Sequence, residues 1–95
     1  MADIEFKVKG DAFEPASQNG SPGMKVKFKN KRSSQVTIEL DPNFYDQGSL
    51  NVPGDGDNHV HIKSTATGTG VFTAPSTDSR KRDGISGDVI INPKR

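Results

Sequence analysis

The chain has 95 residues, of which 29% are hydrophobic, and it contains no cysteine. This length predicts one domain, spanning residues 1–95, with a modest core; the lack of cysteine excludes disulfides, thiolate metal ligands and cysteine nucleophiles. The net charge of +1 conceals a segregation, because residues 1–32 carry +3, residues 33–79 carry −5 and residues 80–95 carry +3.

Alternation of apolar and polar residues, typical of half-buried β-strands, is the dominant pattern along the chain. It predicts long strands at residues 4–8, 24–29 and 36–40, with a loop over residues 11–23. Shorter strands are predicted at residues 50–52, 59–63, 71–73 and 89–91. No apolar stripe of helical spacing persists, so helix is expected only as a single turn at residues 42–47 or 76–82. The pattern predicts an all-β sandwich.

Three segments resemble the cupredoxin family, specifically its small bacterial members. Residues 13–15 look like the F-x-P of the first loop, residues 23–30 (GMKVKFKN) match G-x-x-V-x-x-x-N, and residues 84–91 (GISGDVII) resemble G-M-x-G-x-I-x-V. The resemblance implies a Greek-key β-sandwich of seven to eight strands, cupredoxin-like, with the first strand parallel to the third. It also implies a periplasmic or extracellular location, with the signal peptide removed from the chain.

The same resemblance implies positions for copper ligands. The first histidine would fall at or beside Val36, the cysteine between Ala74 and Ser76, and the axial methionine at Ile85, while no histidine follows His61. A blue-copper centre requires two imidazoles and a thiolate. We therefore predict a domain without a type 1 copper site and without a cofactor, in which Val36 and Ile85 extend the core.

Two histidines suggest an alternative function. His59 and His61 would project from the same face of a strand, about 7 Å apart, a spacing at which two imidazoles can share a divalent ion. Asp55 and Asp57 are close enough in sequence to add oxygen ligands. A weak Cu, Zn or Ni binding protein is therefore an alternative to a solvent-facing strand with two ordinary histidines.

Lysines dominate the polar positions of the first two long strands. The five that we expect on one exposed face are Lys7, Lys9, Lys25, Lys27 and Lys29. Such a face would attract an acidic protein or glycan, or would simply keep the sheet soluble. Nucleic acid is not favoured, because Phe6 and Phe28 point the other way and leave no aromatic side chain for bases to stack on.

A second basic segment, Arg80, Lys81 and Arg82, lies in the loop before the last strand and is our first choice for a recognition patch. The chain shows no catalytic triad, phosphate loop or paired-carboxylate motif, so we predict no enzyme and assign no catalytic residues. We expect a monomeric binding or structural module without a membrane span. An immunoglobulin-like or fibronectin-like adhesion module is the remaining alternative.

Overall fold

The computed structural model describes residues 4–75 and 84–91, which form nine β-strands in two sheets. In chain order these are β1 (Ile4–Val8), β2 (Phe13–Glu14), β3 (Ser17–Gly20), β4 (Lys25–Asn30), β5 (Val36–Leu40), β6 (Ser49–Val52), β7 (Asp57–His61), β8 (Thr69–Ala74) and β9 (Ile85–Ile91). The predicted all-β class is confirmed, and no described residue is helical. Residues 42–44 form a non-helical turn, while residues 76–82 lie outside the described ranges.

The strand count exceeds the predicted seven to eight because residues 11–23, predicted as loop, contain β2 and β3. The sequence of β3, Ser-Gln-Asn-Gly, has no apolar alternation. It forms a strand because its backbone pairs in parallel with β9, at an edge of the sheet. A pairing made by the backbone alone leaves no pattern of side chains from which it can be predicted.

The two sheets have strand orders β2-β1-β4-β7, here called sheet A, and β3-β9-β8-β5-β6, here called sheet B. Strand β1 runs parallel to β4, with Phe6 opposite Phe28. The parallel pairing of the first strand is therefore present, but its partner is the second predicted strand and not the third. The third predicted strand, β5, belongs to sheet B, because the chain crosses between the sheets after Asn30.

The core between the sheets is built around the ring of Phe72 on β8. This ring makes edge-to-face contacts with Phe6 and Phe13, each at 4.7 Å between centroids, and with Phe28 at 4.9 Å. Phe6 and Phe28 come from sheet A, where each alternates with an outward lysine. Such aromatic pairs add about 0.5–1.5 kcal/mol each beyond the area that they bury. The core thus joins both sheets through one aromatic cluster.

One end of the sandwich is closed by Asn30, a buried polar residue with 1% exposure. Its Nδ2 donates hydrogen bonds to the carbonyl oxygens of Ser34 at 2.8 Å, Val52 at 3.2 Å and Pro53 at 3.2 Å. Its Oδ1 accepts a hydrogen bond from the backbone N–H of Arg32 at 2.8 Å. The amide therefore ties the connection between β4 and β5 to the end of β6.

The opposite end is closed by Tyr45, which is fully buried and whose hydroxyl donates a 2.7 Å hydrogen bond to the carbonyl of Gly70. The carbonyl of Asp41 accepts the backbone N–H groups of Phe44 and Tyr45, which forms the turn that carries both rings. The ring of Phe44 lies against Gly70 so closely that a Cβ atom there would collide with it. This position therefore requires glycine.

Candidate functional site

The outer surface of sheet A carries the charged residues expected from the sequence. Its cations are Lys7, Lys9, Lys25, Lys27 and Lys29, which we call the lysine face. The register places Lys7 opposite Lys29 on the neighbouring strand. On the other side of β4, Lys25 is opposite His61 and Lys27 is opposite His59. The structure thus brings both groups predicted from the sequence, the lysines and the histidines, onto one surface.

Two of these lysines form ion pairs at the surface. Lys9 Nζ lies 2.7 Å from Glu14 Oε1, and Lys27 Nζ lies 3.7 Å from Asp57 Oδ2. The hydrogen bond and attraction between Lys9 and Glu14 raise the pKa of the lysine and lower the pKa of the carboxyl. Within the described ranges, the other three lysines of the face have no carboxylate at ion-pair distance; these are Lys7, Lys25 and Lys29.

The histidine pair lies beside the lysine face on edge strand β7. The rings of His59 and His61 are 5.4 Å apart between centroids and nearly perpendicular, at 85°. Asp46 contacts His61, accepting its backbone N–H at Oδ1 over 3.1 Å and placing Oδ2 3.8 Å from ring atom Nδ1. Both imidazoles therefore share one exposed face, as predicted, and a carboxylate adjoins one of them.

The acidic residues suggested from the sequence as partners of these histidines do not join them. Asp57 faces Lys27, and Asp55 lies in the preceding turn with a φ of 56°. Among residues 4–75 and 84–91, no three or more His, Cys, Asp or Glu side chains form a group that could hold a metal ion. Asp46 was missed because it reaches His61 across the bridge between Tyr45 and Ile62, a contact that local sequence does not reveal.

The positions to which the resemblance assigns copper ligands lie at the Asn30 end. Val36 is 3% exposed, and Ala74 and Ile85 are 5% exposed. Ala74 pairs with Ile85 across β8 and β9, and the register of β5 with β8 brings Val36 to the same end. The predicted burial of Val36 and Ile85 is therefore confirmed.

A shallow cleft of about 260 Å³ also opens at the Asn30 end, and it is lined by Asp11, Ala12, Gly84, Ile85 and Ser86. These five lining residues offer one carboxylate and one hydroxyl, and none of them is a histidine. The predicted recognition patch, Arg80 to Arg82, and Ser76 lie outside the described residues.

Comparison with known proteins places the fold. No protein-family model and no curated protein sequence matches the chain. Among solved structures, auracyanin A, a blue copper protein of Chloroflexus aurantiacus, has a TM-score of 0.65 at 18% identity, covering 96% of this chain and 98% of its own. The reduced auracyanin of Roseiflexus castenholzii has a TM-score of 0.65 at 17% identity, covering 96% and 97%. An oxidised amicyanin variant has a TM-score of 0.64 at 11% identity, covering 95% and 82%.

The chain has a cupredoxin-like fold. These identities establish the architecture alone, because one fold supports many functions. The parallel pairing of β1 and β4 and the similarity to auracyanin A favour the cupredoxin-like fold over the immunoglobulin-like or fibronectin-like alternative. In the described part of the chain, no helix has the length and apolar character needed to cross a membrane.

The described residues at the positions to which the resemblance assigns copper ligands do not fit type 1 copper. The side chains of Val36, Ala74 and Ile85 contain only carbon and hydrogen, so they offer no lone pair to a metal ion. A type 1 centre depends on a thiolate and two imidazoles, and the whole chain has no cysteine. At the positions to which the resemblance assigns copper ligands, the described residues Val36, Ala74 and Ile85 therefore offer none.

Proposed function

We propose that this chain is a non-enzymatic, cupredoxin-like binding domain without type 1 copper, and that it docks an acidic protein through its lysine face. The observation that carries the proposal is the register of β1 and β4, which places Lys7 directly opposite Lys29. Like charges directly opposite each other destabilise a sheet. Glu14 and Asp57 lie opposite the two lysines on the outer strands, but their ion pairs are with Lys9 and Lys27. A partner that presents carboxylates to Lys7 and Lys29 would therefore relieve the remaining repulsion and bind by the same charges.

The regular spacing of the lysines suits a partner whose surface presents carboxylates at matching distances. Successive outward residues on β4 are about 6.6 Å apart, and neighbouring strands are about 4.8 Å apart. The face also includes carboxylates, with Glu5 opposite Lys27 and Asp57 paired to the same lysine. An acidic partner should therefore make its contacts at the lysines that are not paired with these acids, which are Lys7, Lys25 and Lys29. Charge complementarity of this kind mainly increases the association rate.

Two features disfavour nucleic acids and sulfated glycans as the partner. The outward residues of β1 and β4 include no aromatic side chain on which bases could stack. They also include no arginine, whose planar guanidinium binds phosphate or sulfate through two parallel hydrogen bonds. Lysine is a compact point charge without such a bidentate contact, so the face has no built-in preference for phosphate or sulfate over carboxylate. Export to the periplasm or cell exterior, and a monomeric state, remain part of the proposal on the resemblance alone.

Carbodiimide cross-linking to a peptide of ten glutamates tests the docking proposal, because the reagent joins lysine amines to carboxylates in contact. We expect cross-links at Lys7, Lys25 and Lys29, and a yield that falls as salt concentration rises. Lys29→Glu should remove most of the product, while Lys63→Glu, an equal change of charge outside the lysine face, should preserve it. Cross-linking spread evenly over all lysines would contradict the proposal. Binding to heparin without binding to the peptide would identify a sulfated glycan instead.

A further inference from the structure

We propose that His59 and His61 together chelate a divalent transition-metal ion at the exposed edge of sheet A, with Asp46 orienting His61. The two histidines occupy alternate positions on β7, so both imidazoles project from the same face. The His61 side chain is 48% exposed, and both residues are open to solvent. An ion can therefore reach the pair without a change in the fold.

The distance between the rings matches what two ligands of one ion require. A ring nitrogen lies about 2.0–2.1 Å from bound zinc, which puts each ring centre about 3.2 Å from the metal and two tetrahedral ligands about 5.2 Å apart. The observed separation of ring centres is 5.4 Å. Chelation then requires side-chain rotations that direct one nitrogen of each ring at a common ion, with little change in the distance between the rings.

Asp46 holds its carboxylate beside the ring of His61. Its backbone N–H donates to the carbonyl of His61 at 3.0 Å, and its Oδ1 accepts the backbone N–H of His61 at 3.1 Å. These two bonds anchor the carboxylate beside the ring, where Oδ2 lies 3.8 Å from Nδ1. This distance is longer than a hydrogen bond, but the nearby negative charge favours the N–H at Nδ1 and so leaves the other nitrogen, Nε2, as the ligand. Asp46 is therefore a positioning residue for His61.

The surrounding charges determine which ions can bind. Lys25 and Lys27 lie opposite His61 and His59, and Asp57 offsets the charge of Lys27. The free energy of binding to the two imidazole nitrogens must outweigh the repulsion between the ion and the nearby ammonium group of Lys25. Cu²⁺, Ni²⁺ and Zn²⁺ have this preference for imidazole, with water completing the shell, whereas Mg²⁺ and Ca²⁺ favour oxygen ligands. The site is at a sheet edge, apart from the positions of Val36 and Ile85.

Titration of the full chain with zinc tests the proposal, followed by calorimetry and by the NMR signals of the histidine rings. We expect saturable binding of one ion, with both sets of ring signals shifting together. His59→Ala and His61→Ala should each weaken binding at least about tenfold, and Asp46→Asn about tenfold with a change in the ring nitrogen shifts of His61. The matched control, Lys25→Ala, should bind zinc equally well or more tightly, because it removes a neighbouring positive charge.

Three results would overturn the inference. One is the absence of ring shifts in the unmodified chain at millimolar zinc, a measurement that does not depend on any variant folding. Another is undiminished binding in the His59→Ala, His61→Ala double variant, and the third is a tenfold loss in Lys25→Ala. Because zinc binding and peptide cross-linking are measured separately, failure of this inference leaves the proposed docking function standing, and the reverse also holds.

Discussion

At one end of the sandwich the buried amide of Asn30 binds three backbone carbonyl groups, and at the other end the buried hydroxyl of Tyr45 binds one. At the Asn30 end, the positions to which the resemblance assigns copper ligands include the buried apolar residues Val36, Ala74 and Ile85. The amide of Asn30 makes its hydrogen bonds without a histidine or cysteine at those three positions. Asn30 therefore stabilises the loops of the fold itself, whereas Tyr45 secures the turn that leads to Asp46.

The largest expected effect is at the Asn30 end. Asn30→Ala should lower the free energy of unfolding by about 3 kcal/mol, because it leaves several buried backbone groups without a hydrogen-bond partner. Urea unfolding would measure the loss. Asn58→Ala is the matched control, because both hydrogen bonds of the Asn58 side chain are exposed: Nδ2 donates to the carbonyl of Asn51, and Oδ1 accepts the backbone N–H of His59. Equal losses in the two variants would show that the buried amide has no special role.

At the Tyr45 end, the next effect concerns packing. Gly70→Ala should cost about 2 kcal/mol, because the added methyl group collides with the ring of Phe44. Gly48→Ala is the control, since the nearest atom to its Cβ would be Pro42 Cβ at 3.9 Å. Thermal unfolding of both variants would check the difference. If Gly70→Ala unfolds at the same temperature as Gly48→Ala, the Phe44 ring does not pack as described.

The hydroxyl of Tyr45 should contribute less than the amide of Asn30. Tyr45→Phe should lower the free energy of unfolding by about 1 kcal/mol, because the carbonyl of Gly70 loses its 2.7 Å hydrogen bond while the ring remains. Urea unfolding alongside Asn30→Ala would rank the two ends. A loss in Tyr45→Phe as large as that in Asn30→Ala would reverse the comparison.

The same tyrosine predicts how stability depends on pH. Burial, with smaller contributions from Asp88 and Asp41, raises the pKa of Tyr45 above its ordinary value of 10.0. The fold holds the neutral phenol, so the contribution of Tyr45 to stability should be constant below about pH 10 and fall above it, where the unfolded chain loses the proton. Because the chain has one tyrosine, absorbance titration reports this group alone. The fall should be absent in Tyr45→Phe, and phenolate formation at pH 10 without unfolding would contradict the prediction.

The smallest effect is expected from a surface ion pair near the Asn30 end. Glu14→Gln removes the ion pair between Glu14 and Lys9. The Glu14 side chain is 58% exposed and the Lys9 side chain is 45% exposed. Water screens such pairs, so the unfolding temperature should not change measurably. A clear decrease would show that surface charge, and not only the buried amide, stabilises this end.

Much of the fold could be predicted from alternation in the sequence. The patterns around Phe6, Phe28 and Ile38 placed three long strands correctly, because each strand buries one face against a core. Strand β3 could not be predicted, since its sequence, Ser-Gln-Asn-Gly, has no apolar alternation and only its backbone pairing makes it a strand. The resemblance implied that the first strand pairs in parallel with the third, whereas the structure pairs β1 with β4, the second strand predicted from alternation. Alternation could not settle the partner, because it shows which face of a strand is buried but not which sheet it joins.

The candidate sites could likewise be predicted only in part from the sequence. From the sequence it follows that the chain has no thiolate to offer a type 1 copper ion, and that lysines and histidines occupy alternate strand positions. The fold was needed to show that Lys7 faces Lys29 and that Asp46, and not Asp55 or Asp57, adjoins His61. The physical reason is that local sequence sets the direction of a side chain, whereas its neighbours across strands depend on the register and on loops that bring distant residues together.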